Sequence, residues 1–311
     1  MFARLAVAAL IASFSAPAFA QDRLTVLLDW FINPDHAPLY IAEARGEFAA
    51  RDLQVEFVAP ADPSAPPRLV AAGEGDIAIT YQPSLYQQID QGLPVVRVGT
   101  LVQSPLNSLV VLADGPIQSL EDLDGATVGF SVGGFEDALL GRMLDSVGLS
   151  LSNVTLVNVN FALTPALMTQ QVDAVIGAFR NFELTQLRLE GSEGRAFLPE
   201  EHGVPTYEEL IYIVRNDRAD DPAVARFLEA VEAASRWQAD NPEDAEALFF
   251  ETLPDIDDAL NRQAFKDTLS TFPLDPKALD TAKYQAFKDF MLEAGLVSDL
   301  PPLATYAVEL E

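Results

Sequence analysis

The chain has 311 residues, a hydrophobic content of 49% and a formal net charge of −28 at pH 7. This hydrophobic content argues against a disordered chain, and the length allows one large domain or two lobes. The negative charge makes nucleic acid and anionic membrane surfaces poor partners, and we expect a soluble monomer. Because the sequence contains no cysteine, disulfides, thiolate metal sites and cysteine nucleophiles are all excluded.

Residues 1–20 have the pattern of a secretory signal peptide. Arg4 precedes an apolar run that ends in Ala18-Phe19-Ala20, the small-x-small pattern of a signal-peptidase site. The run is shorter than the roughly 20 apolar residues that cross a bilayer comfortably. We therefore expect cleavage near Ala20 and a mature protein in the periplasm, the alternative being a buried N-terminal helix.

Strands and helices alternate along the first third of the chain. The segments with strand character are 24–30, 53–58, 76–81 and 94–102. Between them lie LYIAEARGEF, PSAPPRLVAAGEG and PSLYQQIDQG, which have the apolar spacing and the proline or glycine ends of helices. This alternation predicts a parallel sheet with helices on both faces.

A second series of strands and helices follows an extended crossover near residues 104–112. It runs to a second crossover near residues 210–217, after which the chain has helical character. We therefore predict an α/β fold of two lobes, each a mostly parallel sheet flanked by helices, with a two-strand hinge and a helical C-terminal tail. Lobe 1 would comprise residues 21–106 and 215–311, and lobe 2 residues 107–214.

Two segments of the chain resemble one another, GEGDIAITYQPSL at 73–85 and QQVDAVIGAFRNF at 170–182. Each has a helix end, then an apolar strand that begins with Asp, then polar and aromatic residues. The alternative is a chance match between two generic buried strands. As a true repeat, the match describes two similar lobes that present side chains from the carboxyl ends of their strands, where open parallel sheets bind ligands.

Four segments carry a resemblance to a known family: LDWFINPDHAPLYIAEARGEF, GEGDIAITYQPSL, SVGGFEDALL and DAVIGAFRNFEL. With the leader and the two lobes, they resemble a type II periplasmic solute-binding protein of an ABC importer. Within that group they are similar to the ThiY-type formylaminopyrimidine-binding proteins and to their yeast pyrimidine-synthase relatives. The pattern D-W-x-x-N-x-x-H-x-x-x-Y is the most specific part of the likeness.

The resemblance implies a substrate-binding protein without catalytic residues, metal or cofactor. Such a protein captures a small planar heterocycle by hinge closure and delivers it to an ABC permease in the inner membrane. The implied ligand is a thiamine pyrimidine precursor of the formylaminopyrimidine or hydroxymethylpyrimidine type. Related branches bind riboflavin, alkanesulfonates or nitrate, and these ligands remain alternatives.

The loop after the first strand supplies the first candidate ligand contacts. Trp30 is placed to stack on a flat heterocycle, the alternative being a core position, whereas we expect Phe31 in the core. Asn33 and His36 add polar groups in the same loop, and Tyr40 lies one helical turn beyond His36 on the same face. The alternative for His36 is a helix-capping or surface position.

Two further strand ends supply candidates by the same argument. Tyr81 and Gln82 follow strand 76–81, and a glutamine can donate and accept at once, which suits an aminopyrimidine. The alternative for Gln82 is a helix cap. After strand 126–130, the helix start offers backbone N–H groups to a ligand oxygen, the alternative being a plain turn. The candidates at this helix start are Ser131, Gly133, Gly134 and Phe135.

The motif FRNFE at 179–183 supplies the candidate carboxylate. A cleft carboxylate suits an aminopyrimidine because it accepts a hydrogen bond from the amine and favours a protonated ring nitrogen. The resemblance implies Glu183 for this contact, and the alternative is a solvated glutamate in the first turn of a helix. Asn181 caps the helix and can also contact ligand. Arg180 is either the partner of Glu183 or an anchor for an acidic ligand.

An enzyme is the rival interpretation, because the related pyrimidine synthases place a histidine at a position resembling His36. Those enzymes carry a cysteine-rich iron-binding segment, and this chain has no cysteine. The metalloprotease motif HExxH is absent as well. The sequence therefore favours a binding protein.

Overall fold

The computed structural model describes residues 21–310, so the predicted signal peptide at residues 1–20 lies outside the described residues. Within residues 21–310 no helix is long and apolar enough to cross a membrane. The strands of this part of the chain are β1 (Asp22–Leu27), β2 (Leu53–Val58), β3 (Ile77–Thr80), β4 (Val95–Val102), β5 (Asn107–Leu112), β6 (Thr127–Phe130), β7 (Thr155–Asn158), β8 (Ala174–Phe179), β9 (Gly194–Phe197) and β10 (Leu210–Arg215).

The helices alternate with these strands and then run consecutively to the C-terminus. They are α1 (Ala37–Ala44), α2 (Pro66–Ala72), α3 (Gln82–Asp90), α4 (Phe135–Asp145), α5 (Leu163–Met168), α6 (Glu183–Leu189), α7 (Pro222–Asp240), α8 (Pro242–Thr252), α9 (Ala259–Thr268) and α10 (Thr281–Glu293). Proline occupies the first turn of α2, α3, α7 and α8, where its missing N–H leaves no helical bond unmade.

The strands form two five-stranded sheets of the same design. Their orders are β2-β1-β3-β10-β4 and β7-β6-β8-β5-β9. In the first sheet β1 is parallel to β2 and β3, and β10 is antiparallel to β3 and β4. In the second, β6 is parallel to β7 and β8, and β5 is antiparallel to β8 and β9. The predicted two-lobed α/β fold is confirmed.

The antiparallel strands mark the passages of the chain between the sheets. The chain enters the second sheet on β5 and returns to the first on β10. We call the first sheet with the helices packed on it lobe 1 and the second sheet with its helices lobe 2. Helices α7 and α8 pack against α1, and their apolar residues share one core with the first sheet. The residue boundaries of the lobes stay a prediction.

The two crossing segments are bonded to one another. The Glu209 Oε2 atom accepts hydrogen bonds from the backbone N–H groups of Leu106 and Asn107, at 2.6 and 2.8 Å. Arg180 donates to the Asn107 carbonyl at 2.9 Å. Residues 106 and 107 of the first crossing are therefore bonded both to the second crossing and to lobe 2.

The repeat that the sequence predicts is a structural one. Asp76 and Asp173 precede the central parallel strands β3 and β8, and their Oδ2 atoms accept from the backbone N–H groups of Thr25 and Thr127, at 2.7 and 2.8 Å. In both lobes the aspartate N–H in turn donates to the carbonyl of the same threonine. The two lobes are thus built on the same local scaffold.

Two features depart from the sequence prediction. The first strand ends at Leu27 and not at Trp30, so residues 28–33 form a loop beside the other lobe. The edge strand β9 was not predicted, because its four residues GRAF are half-buried and show neither alternation nor an apolar run. Pairing with β5, which is distant in sequence, makes this segment a strand.

Candidate ligand-binding cavity between the lobes

A cavity with about 420 Å³ of empty space lies between the lobes, beyond the carboxyl ends of β1, β3 and β8. Its position follows from the topology, because the carboxyl ends of parallel strands in both sheets face the same gap. The lining residues are Asp29, Trp30, Asn33, Asp35, Tyr81, Glu136, Leu163, Gly177, Phe179, Phe182 and Glu183.

Four carboxyl groups dominate the polar part of this lining, two from each lobe. Asp29 and Asp35 come from lobe 1, and Glu136 and Glu183 from lobe 2. Each is less than a tenth exposed. The lining contains no lysine or arginine, so the cavity offers acceptors and negative charge to whatever occupies it.

The lobe 1 carboxyls lie in the loop after β1 and are already hydrogen bonded. Asp29 Oδ1 lies 2.9 Å from Nε2 of His36, and its Oδ2 accepts from the Tyr81 hydroxyl at 3.2 Å. Asp35 Oδ1 accepts from Nδ2 of Asn181 at 2.7 Å and from the Thr268 hydroxyl at 3.0 Å. Burial raises the pKa of Asp35 to about 6, although the nearby His36 and these hydrogen bonds oppose the rise.

The lobe 2 carboxyls lie in the first turns of two helices. Glu136 of α4 accepts from the backbone N–H of Ser131 at 2.6 Å, and Glu183 of α6 accepts from that of Phe179 at 2.7 Å. Burial raises the pKa of both glutamates to about 8, and the hydrogen bonds from backbone N–H groups oppose the rise. Both groups are therefore held as acids that give up a proton near neutral pH.

Gly177 in β8 makes room for the Glu136 carboxyl. A Cβ atom at this position would collide with the Glu136 carboxyl group, and the backbone has a φ of +96°. A positive φ is strained for a residue with a side chain. Glycine therefore satisfies two requirements at once, an unusual backbone conformation and the close approach of an acid.

Aromatic rings from both lobes meet beside the carboxyls. Trp30 is half-buried and meets Phe161 of lobe 2 edge to face, with ring centroids 4.6 Å apart. Phe31 was expected in the core, and this prediction is wrong because the ring is 42% exposed. It lies between Phe161 and Phe182, at 6.2 and 6.4 Å. We call these four residues the aromatic seam.

Four of the candidate residues from the sequence line the cavity: Trp30, Asn33, Tyr81 and Glu183. The other eight lie outside its lining: His36, Tyr40, Gln82, Ser131, Gly133, Gly134, Phe135 and Asn181. Their contacts show what each of the eight does in this structure.

Three of the eight belong to lobe 1 and support it from within. His36 is fully buried behind Asp29. Tyr40 points into the core against Phe57, with ring centroids 5.0 Å apart. Gln82 donates to the Tyr86 hydroxyl at 2.9 Å, and its Oε1 accepts from the backbone N–H of Glu208 at 2.7 Å. Both ends of the Gln82 amide are therefore committed to the scaffold.

The helix start at 131–135 does not present free N–H groups to the cavity. The Ser131 N–H is taken by Glu136, and the Gly134 carbonyl accepts from Nε2 of Gln87 across the lobes at 2.6 Å. Phe135 stacks behind Tyr81 with ring centroids 5.0 Å apart. Gly133 lines a separate pocket that contains Gln87.

The remaining residues of the FRNFE motif join the lobes or brace the hinge. Asn181 donates across the lobes to Asp35 and to Thr268 of α9, the latter at 2.6 Å. Arg180 does neither of the two things expected of it. It forms a paired interaction with Glu200, at 2.6 and 3.0 Å, and does not line the cavity.

Several residues that line the cavity were not among the ligand-contact candidates from the sequence. Asp29 and Asp35 follow the same strand as Trp30, so the strand-end argument applies to them equally. Glu136 follows the helix start at 131–135 and was not among its candidates. Leu163 and Gly177 carry no sequence signal, because only the folded lobes show what lies next to them. Within residues 21–310, no group of three or more acidic or histidine side chains is placed to hold a metal ion.

The chain is similar in sequence to a known family and to several known proteins. Residues 33–245 match the family described as NMT1/THI5 like. A Haemophilus influenzae protein named a thiamine biosynthesis protein is 49% identical over 296 residues, which are 95% of this chain and 94% of that protein. The formylaminopyrimidine-binding protein of Halalkalibacterium halodurans is 32% identical over 253 residues, 81% of this chain and 77% of the relative.

Other relatives carry the name of an enzyme. The 4-amino-5-hydroxymethyl-2-methylpyrimidine phosphate synthase of Legionella pneumophila is 26% identical over 257 residues, 81% of this chain and 80% of the relative. Among solved structures, the alkanesulfonate-binding protein SsuA of Xanthomonas axonopodis pv. citri, bound to MOPS, superposes with a TM-score of 0.71. It is 18% identical and covers 94% of this chain and 99% of its own, a likeness that concerns the fold.

Proposed function

Because this chain belongs to the NMT1/THI5-like family, we propose that it is the substrate-binding component of an ABC importer. Its ligand would be an aminopyrimidine precursor of thiamine, of the formylaminopyrimidine or hydroxymethylpyrimidine type. The relative named a formylaminopyrimidine-binding protein supports this ligand class. The fold shared with SsuA supports a periplasmic location and delivery to an inner-membrane permease.

The observation that carries the proposal is the cavity lined by four carboxyl groups and no lysine or arginine. An aminopyrimidine presents hydrogen-bond donors, its exocyclic amine and its ring nitrogen when protonated, and these suit a carboxylate. A sulfonate or nitrate would bring a further negative charge into a buried acidic site.

Hinge closure would assemble this site. Each lobe contributes two of the carboxyls, and hydrogen bonds from Asn181 to Asp35 and from Gln87 to Gly134 cross between the lobes. A ligand that contacts both lobes therefore stabilises the closed form over the open one. The closed protein would then dock on the permease.

Catalysis is the second candidate, because relatives at 26% identity are named synthases. The histidine of this loop, His36, is fully buried and bonded to Asp29, which supports a structural role. We therefore expect no turnover. Mass spectrometry of a pyrimidine ligand after prolonged incubation tests this, and a modified product would contradict the binding role.

A thermal-shift panel tests the proposed ligand class. The panel contains the formylaminopyrimidine, hydroxymethylpyrimidine, riboflavin, taurine and nitrate. At about a hundredfold excess over Kd, a pyrimidine should raise the melting temperature by roughly 5 °C. The other compounds should leave it unchanged. A shift with taurine or nitrate, and none with either pyrimidine, would overturn the proposal.

A further inference from the structure

We propose that the preferred ligand of this cavity is an aminopyrimidine that also carries a side-chain ammonium group. This inference rests on the proposed function and deepens it, because it assigns the charge of the ligand. The inference predicts that a ring with a charged primary amine on its side chain binds more tightly than the same ring with a neutral formamide or alcohol. The observations behind it are the number, the partners and the placement of the cavity carboxyls.

The aminopyrimidine ring itself needs only one of these acids. The exocyclic amine and a protonated ring nitrogen lie side by side, so a single carboxylate can accept from both. Glu183 in lobe 2 is well placed for this role, with one oxygen held by a backbone N–H. Both oxygens of Asp29 already have hydrogen-bond partners in the protein, His36 and Tyr81. Asp35 and Glu136 remain without a matching positive charge.

Asp35 directs an unused acceptor at the cavity. Its Oδ1 takes the hydrogen bonds from Asn181 and Thr268, whereas its Oδ2 has no hydrogen-bond partner within residues 21–310. The residue is 3% exposed and lines the cavity. This oxygen can therefore accept a hydrogen bond from a donor group of a ligand in the cavity.

The surroundings of these acids supply no cation in compensation. The Glu136 carboxyl faces Asp137 and Glu209 as further acids, and Asp35 and Glu183 raise each other's energy when both are ionised. Among residues 21–310, His36 is the one basic group that acts on Asp35, and its ring is bonded to Asp29. The guanidinium of Arg180 is paired with Glu200. Closing the lobes on ionised acids therefore requires protons or a cationic ligand.

The two side-chain chemistries should respond to pH in opposite directions. An ammonium group needs ionised acids, so its binding releases protons and its affinity rises as pH increases from about 6 to about 8, the range of the Asp35, Glu136 and Glu183 pKa values. A formyl oxygen needs a protonated acid as donor, so the affinity of a formamide falls over the same range.

Isothermal titration calorimetry of the purified protein at pH 8 tests the inference directly. The probes are 4-amino-5-aminomethyl-2-methylpyrimidine, its N-formyl derivative and the 5-hydroxymethyl analogue. The amine should bind about tenfold more tightly than either neutral probe. Equal affinities, or tighter binding of the formyl derivative at pH 8, would overturn the inference.

Two variants locate the effect. Asp35→Asn keeps an acceptor for Asn181 and Thr268 but removes the charge, so the affinity for the amine should fall about tenfold and that for the hydroxymethyl probe by a clearly smaller factor. Asp240→Asn removes one charge from an exposed position outside the cavity and should change neither affinity. Equal losses for both probes in Asp35→Asn would contradict the inference. If this variant does not fold, Glu136→Gln provides the same comparison.

The outcomes separate this inference from the proposed function. If none of the three pyrimidines binds, the proposed function fails. If the neutral pyrimidines bind and the amine shows no advantage at pH 8, the proposed function stands and only the assignment of ligand charge is wrong.

Discussion

The two lobes differ in how they use the first residue of the helix that follows the central parallel strand. Gln82 and Glu183 are each the first residue of the helix that follows the central parallel strand, α3 in lobe 1 and α6 in lobe 2. Both amide ends of Gln82 are bonded to the protein, whereas Glu183 lines the cavity. The Gln82 side chain therefore supports its lobe, and the Glu183 side chain faces the cavity.

A pair of matching positions in the repeated strands also differs between the lobes. Counting from Asp76 and Asp173, Thr80 in β3 corresponds to Gly177 in β8. The hydroxyl of Thr80 lies 3.5 Å from Nε2 of Gln88, whereas lobe 2 requires glycine because the Glu136 carboxyl approaches Gly177. The comparison teaches that the repeat determines the scaffold, while the side chains that differ between the lobes determine the chemistry of the site.

The largest expected effect tests the glycine of lobe 2. Gly177→Ala combines a strained positive φ with a collision against Glu136, so the free energy of unfolding should fall by about 4 kcal/mol. Gly148→Ala is the matched control, because its φ is +78° and nothing lies within 4 Å of the added Cβ. It should cost about 1 kcal/mol. Urea unfolding measures both, and equal losses would mean that Glu136 does not approach Gly177.

The raised pKa values of the lobe 2 acids predict a dependence of stability on pH. The folded-state pKa values of Glu136 and Glu183 are about 8, above the ordinary value of 4.5. The folded state therefore binds more protons than the unfolded state, and this stabilisation is complete below about pH 4.5 and lost as pH rises through 8. Each of the two glutamates should contribute a fall in the free energy of unfolding on the order of 3 kcal/mol between pH 5 and pH 8.

Glu183→Gln provides the check on this pH effect. The variant should lose less stability than the wild type between pH 5 and pH 8, because its amide does not titrate. Urea unfolding at the two pH values is the measurement. A wild type that is more stable at pH 8 than at pH 5 would contradict the burial of these acids.

Exchanging the acid and the amide between the first residues of α3 and α6 tests whether these two side chains have different roles. Glu183→Gln should weaken pyrimidine binding by about 2 kcal/mol, roughly thirtyfold, with little loss of stability at neutral pH. Gln82→Glu should instead lower the free energy of unfolding by about 2 kcal/mol, because the Tyr86 hydroxyl loses its donor and a charge is buried. Calorimetry and urea unfolding together measure this exchange. A binding defect in Gln82→Glu without loss of stability would contradict the assignment.

The smallest effect concerns the aromatic seam. Trp30→Phe keeps an aromatic ring in the cavity but reduces its area, and it should weaken pyrimidine binding by about 1 kcal/mol. Trp237, the second tryptophan of the chain, packs under Arg45 at 4.1 Å and does not line the cavity. Trp237→Phe should therefore leave affinity unchanged. Equal effects of both substitutions on affinity would argue against a ligand contact at Trp30.

Much of the scaffold could be read from the sequence, because buried parallel strands and proline-started helices leave local patterns. The strand at 53–58 and the Asp-initiated strands β3 and β8 are of this kind. The edge strand β9 leaves no such pattern, since its partner β5 makes it a strand. The local pattern also led to the wrong prediction for Phe31. An apolar residue beside a strand end is predicted in the core, although Phe31 lies next to aromatic rings of the other lobe.

The site was predictable in outline and not in detail. The rule that ligands lie at the carboxyl ends of parallel strands identified Trp30 and Tyr81, and the family resemblance identified Glu183. Neither could separate these residues from Gln82 and Asn181, which share the same strand ends, because the partners that occupy these two side chains are distant in the chain. The second partner of Gln82 lies in a crossing segment, and that of Asn181 lies in the opposite lobe.

A crystal structure of the protein grown with an aminopyrimidine tests the central claim most directly. We expect the ring between the lobes, in the cavity lined by Trp30 and Tyr81, with its exocyclic amine within hydrogen-bond distance of the Glu183 carboxylate. A ring bound instead in the pocket beside Gln87 and Gly133, with the cavity between the four acids unoccupied by ligand, would contradict the account.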